Sequence, residues 1–115
     1  MTDPRGRETV ERERHLQQLE EFLGDATRDI ESMRGLVTEL EAGDATVWTR
    51  VQTMAHNLGA RSQALKLGVM IACARELEML TNERQNGAPL DAYFMMCVTS
   101  AIETLSIEVA QLRRA

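Results

Sequence analysis

The sequence predicts an all-α fold: an antiparallel up-down-up-down four-helix bundle with an N-terminal helical arm. Three observations predict it. The chain is rich in Ala, Leu, Met, Glu and Arg, residues that enter helices at little cost, and it has few β-branched runs. Apolar residues recur at three- and four-residue spacing over long stretches. Both prolines, Pro4 and Pro89, stand outside those stretches. At 115 residues and 43% hydrophobic, the chain reads as one domain able to bury a core. Residues 1–7 are expected to be a flexible leader and residues 8–115 the bundle.

Taken in order, Pro4 and Gly6 are expected to break any helix in the leader. From about Glu8, the residues Val10, Leu16, Leu19, Phe22 and Leu23 give a partial apolar face. The Glu-Arg alternation of ERER supplies i,i+4 pairs on the wet side. His15 lies in this arm and reads as a surface or packing histidine. Gly24-Asp25 either breaks the helix, with Asp25 capping the next, or lets the two run on with a kink. Ile30, Met33, Leu36, Val37 and Leu40 continue the stripe until Gly43.

Asp44 then caps a helix expected from about Ala45 to Leu65, and the short connection sets it antiparallel beside its predecessor. Lys66-Leu67-Gly68 ends it, with Gly68 expected to supply the left-handed position. Met70, Cys73, Ala74, Leu77 and Leu80 mark the inner face of a third long helix ending near Gly87. Asn86-Gly87-Ala88-Pro89 is a turn by composition. The last helix begins near Leu90 or Asp91 and carries Leu90, Phe94, Cys97, Ala101, Leu105 and Leu112 inward, while Arg113 and Arg114 complement its C-terminal dipole. Aromatics are only 3% of the chain, so the seven methionines are expected to fill gaps in the core.

Several function classes are disfavoured. A net charge of −5, with arginines scattered or paired with acids, argues against nucleic-acid binding, which needs a basic field. Cys73 and Cys97 fall on apolar stripes, where a thiol behaves as a small hydrophobe, and no further ligand is spaced to complete a metal site. The N-terminal residues have no apolar core of a signal peptide, and no window approaches a membrane span. The expectation is a soluble cytoplasmic protein with no membrane partner. A nucleotide loop of the GKS/T kind is missing, so no kinase or ATPase activity is expected.

The most informative stretch runs from Met54 to Glu78. With Val47 as zero and about 100° per residue, Val51, Met54, Leu58 and Leu65 fall on one line and His56 lies roughly 180° from it. An imidazole is thus expected at the centre of an outward helix face. Thr49, Gln52, Thr53, Gly59, Ala60 and Gln63 share its hemisphere, and none is charged although 27% of the chain is. Gly59 and Ala60, three and four positions on, leave one side of the ring open to a bulky visitor.

These residues resemble the histidine-containing phosphotransfer (HPt) domain of multistep phosphorelays. Ala55, His56, Leu58, Leu65 and Leu67 fit the family pattern without a gap, Ala74-Arg75-Glu76-Leu77-Glu78 looks like the family's next helix, and Leu40-Glu41-Ala42-Gly43-Asp44 looks like its preceding turn. The chain departs from the pattern at Gly59, where the family has lysine, at Ala60, where it has glycine, and at Lys66, where it has glycine. Lys66 stands about 15 Å along the helix axis from His56, too far to replace the missing cation simply.

What the resemblance implies is a carrier. His56 would accept a phosphoryl group from a receiver-domain aspartate and pass it to another receiver, with Glu78 as the acceptor that orients Nδ1–H. Gln52, Thr53, Gly59, Ala60 and Gln63 would meet the partner. The implied partners are response-regulator receiver domains and a hybrid sensor histidine kinase; no cofactor is expected on this chain, magnesium being carried by the receiver. Two rivals stand beside it: an adaptor that binds receivers without efficient transfer, and a structural or dimerising bundle in which His56 is incidental.

Overall fold

The computed structural model describes residues 4–39 and 44–114. They form four α-helices: α1 (Pro4–Glu39), α2 (Ala45–Ala64), α3 (Gly68–Gln85) and α4 (Ala92–Arg114). No strand is present among the described residues. Each helix packs against two others: α2 on α3, α3 on α4, α4 on α1 and α1 on α2. The expected Leu40 and Gly43 of the first connection lie outside the described residues.

α1 is one helix of 36 residues, so Gly24-Asp25 does not break it. It also begins earlier than expected. The helix starts at Pro4, whose missing backbone N–H has no partner to lose in a first turn, so residues 4–7 are helical rather than broken. From Gly6 to Gln18 every residue is exposed, and Val10 and Leu16, expected on an apolar face, are 54% and 53% exposed. Burial starts with Leu19 at the edge, then Phe22, Leu23, Ala26, Ile30, Met33, Leu36 and Val37. A helix of 36 residues is about 54 Å long and the last of the four helices has only 23, so α1 outruns its neighbours.

The helix ends have identifiable causes. Asp44 caps α2 by accepting from Thr46 N at 2.9 Å, and Asp91 caps α4 by accepting from Phe94 N at 2.8 Å. α2 and α3 end alike. Lys66 N donates to Gln63 O and Leu67 N to Ser62 O; Gly87 N donates to Arg84 O and Ala88 N to Glu83 O. This pair of hydrogen bonds needs its first donor residue in the left-handed region. Gly87 holds it at φ 99°, but after α2 the residue is Lys66 at φ 58°, not the expected Gly68, which begins α3 instead. The six-to-one bond falls on Leu67, and that places its neighbour, not Gly68, in the strained position.

The core lies between the four helices. Trp48 of α2 and Phe94 of α4 meet edge to face at 5.5 Å near the Asp44 end of α2, supplying bulk that the methionines, with Met33 and Met70 fully buried, extend. Val51, Ala55 and Leu58 continue the buried line of α2 against Cys73, Ala74 and Leu77 of α3. Each fully buried large side chain of this set stabilises the fold by about 1.5–3 kcal/mol. Polar ties close the seams. Arg61 of α2 reaches Asp25 of α1 at 2.9 Å while lying over the Phe22 ring, and Arg34 of α1 pairs with Glu103 of α4. Arg61, and then Arg28, hold the Asp25 carboxyl below its ordinary range.

The expectation that no window approaches a membrane span is corrected at α4. Its 23 residues are long and apolar enough by length and composition to cross a bilayer. In this fold the same apolar residues, Phe94, Val98, Ala101, Ile102, Leu105 and Val109, face the core.

Candidate functional site

The site is built on the seam between α2 and α3. Three polar contacts cross it: Gln85 Nε2 donates to Thr49 Oγ1 at 2.8 Å, His56 Nδ1 meets Glu78 Oε1 at 2.8 Å, and Arg75 Nη2 lies 3.5 Å from Gln63 Oε1. As α2 is read forwards its partners on α3 run backwards. The two helices therefore lie side by side in opposite directions. A seven-residue step is close to two turns, so Thr49, His56 and Gln63 line one edge of α2.

His56 stands on this edge rather than at the centre of the outward face. The buried residues of α2 are Val47, Trp48, Val51, Ala55, Leu58 and Ser62, while Met54 and Leu65 are only half-buried. The buried line is thus rotated by roughly 50° from the one expected, toward Trp48 and Ala55. His56 is roughly 130° from its middle, on the shoulder next to α3. That rotation is what brings a carboxylate of the neighbouring helix to the ring. Ser62 also lies on this line, unmarked by apolar periodicity because it is polar; its hydroxyl donates to Leu58 O at 2.7 Å, which lets it sit fully buried.

The geometry at the ring fixes its chemistry. A carboxylate accepts and does not donate, so in the contact with Glu78 the proton sits on His56 Nδ1. In the neutral ring that leaves the lone pair on Nε2. The His56 side chain is 65% exposed and that of Glu78 35%, so the ring stands largely in solvent and the carboxylate beside it is the more covered of the two. A free lone pair on a ring held by a second helix is a nucleophile of fixed direction.

Thr53, Ala60 and Gln63 are exposed, whereas Gln52 and Gly59 are half-buried on the α3 side. Gly59 marks a close approach: a Cβ there would stand 3.4 Å from Ala74 Cβ. Thr53 turns its hydroxyl back to Thr49 O at 3.0 Å. Gln63 is in contact with Arg75, a residue to which the sequence gave no role. Among the described residues no group of three or more His, Cys, Asp or Glu side chains is placed to hold a metal. Cys73 is buried, and burial pushes its thiol above the ordinary range, which keeps it unreactive.

Compared with known proteins, the chain matches no family model, no curated protein and no solved structure.

Proposed function

We propose that this chain is a histidine phosphocarrier of the HPt kind, in which an up-down-up-down bundle with an N-terminal arm presents His56 to receiver domains. The observation that carries the reading is the His56–Glu78 contact: a ring 65% exposed whose Nδ1 is held at 2.8 Å by a carboxylate. A merely solvated histidine has no need of a fixed tautomer.

In the proposed step, Nε2 attacks the phosphorus of an aspartyl phosphate on a receiver domain, in line with the leaving oxygen. The N–P bond forms as the acyl P–O bond breaks, and the carboxylate leaves with the electron pair. The ring becomes positively charged and keeps its Nδ1 proton, which Glu78 continues to accept, so charge is stabilised as it develops. Return of the group to a second receiver aspartate reverses these events. Thr53, Ala60 and Gln63, with the edges of Gln52 and Gly59, form the weakly polar ground against which the receiver rests. The bundle contributes positioning, and magnesium belongs to the receiver. The reading places the protein in the cytoplasm, with a hybrid sensor histidine kinase upstream and no ATP chemistry of its own.

The test is transfer from receiver domains charged by a small acyl phosphate in magnesium. The expected product is an acid-labile, base-stable label that His56→Gln loses completely. Receiver binding without label would favour the adaptor, and neither binding nor label would leave a structural bundle.

A further inference from the structure

We propose that Arg75 is the cation that binds the phosphoryl group carried by His56, swinging to it from Gln63; this deepens the carrier reading and rests on it. The register of the seam comes first. Seven residues forward on α2, from Thr49 to His56, are matched by seven backward on α3, from Gln85 to Glu78. Three further residues each way set Gly59 level with Arg75. Gly59 has no side chain, and the helices come close there, with Ala74 Cβ at 3.4 Å from where a Cβ would be. At this level of the seam a cation beside the ring therefore comes from α3, not from position 59. Arg75 and Glu78 are neighbours one turn apart, and Glu78 already touches the ring.

Charge gives the second argument. A phosphoryl group brings about −1.5 to −2 charges and three acceptor oxygens, and here it arrives beside the Glu78 carboxylate. A guanidinium matches such a group with paired donors. The other basic residues from Ala45 to Gln85 are placed elsewhere. Arg61 is bound to Asp25 at 2.9 Å, and Arg84 donates to Ala88 O at 3.0 Å. Arg50 lies roughly 120° around α2 and about 9 Å along it from His56, and Lys66 lies beyond the end of α2, in the turn toward α3. Arg75 is exposed, and its 3.5 Å contact with Gln63 is long enough to restrain it only weakly.

Phosphoramidate tests this without a receiver: its N–P bond breaks, ammonia leaves with the electron pair, and the phosphoryl group goes to Nε2. Loading is followed by intact mass and by the position of the label. Arg75→Ala is expected to load about tenfold more slowly than the wild type, as befits loss of one charge-assisted contact. Arg75→Lys should recover part of that loss, as should Gly59→Lys placed in the Arg75→Ala background, because it returns a cation to the same space from the other helix. In the wild type the Arg75 Nε–H resonance should move on loading. Equal rates for the wild type and Arg75→Ala, or an unmoved resonance, would overturn the proposal while leaving the carrier intact. A wild type that takes no label on His56 removes both.

Discussion

The molecule holds two exposed histidines on helices, and they differ in what stands next to them. His15 lies in the part of α1, from Gly6 to Gln18, where every residue is exposed. His56 lies on a helix packed against a second one, with a carboxylate at 2.8 Å on Nδ1 and the buried line of Val51, Ala55 and Leu58 beneath it. Sequence distance does not separate them, since both sit in helices rich in polar residues. What separates them is a neighbour. A single helix in water frays and leaves its side chains free to rotate, whereas a packed pair fixes the ring, its tautomer and its open edge together.

The comparison breaks most visibly in the core beneath each residue. Leu58→Ala, two positions after His56 and 2% exposed, is expected to lower unfolding free energy by about 3 kcal/mol, through lost burial and the cavity left behind. Leu16→Ala, next to His15, is expected to change it by less than about 0.5 kcal/mol. Urea melts of the two variants read the difference directly. Equal losses would mean that the N-terminal part of α1 is packed in solution, against a partner or a second copy.

A smaller effect sharpens the chemical half. Glu78→Gln keeps the shape of the contact and its ability to accept a hydrogen bond, but removes the charge that favours a positive ring. Transfer to His56 is expected to slow about tenfold, equivalent to roughly 1.4 kcal/mol, with the melting curve unchanged. His15→Gln should alter neither transfer nor stability. An unchanged rate in Glu78→Gln would reduce the carboxylate to a packing neighbour.

The smallest effect lies at the end of the histidine helix. Lys66 carries φ 58°, so Lys66→Gly is expected to stabilise the protein by about 1 kcal/mol by relieving a left-handed side-chain clash. Gln17→Gly, in the exposed part of α1, should bring no such gain, because that backbone is ordinary helix. Thermal melts of the pair distinguish the two.

How much of this was legible in the sequence follows from what each feature depends on. Helices that obey their own periodicity, caps such as Asp44 and the Gly87 turn were readable, because local backbone chemistry decides them. The pairing of His56 with Glu78 across 22 residues was suggested by resemblance to a family, not by periodicity, which says nothing about the facing helix. The rotation of the buried line toward Trp48 and Ala55 is hidden from the sequence for the same reason: which shoulder of α2 faces α3 is a tertiary choice. Lys66 hid its left-handed backbone because glycine two residues later offered an easier candidate. Arg75 carries no signal of its own in the sequence; only the register of the seam, which sets it level with Gly59, singles it out.

The most direct measurement is where the phosphoryl group goes when the protein meets a panel of charged receiver domains. Proton–phosphorus correlation spectra identify the ring and the nitrogen. One labelled nitrogen is expected, Nε2 of His56, with His15 silent and the signal gone in His56→Gln. Label on His15, on Nδ1 of His56, or on neither ring while the receivers discharge to water would contradict it.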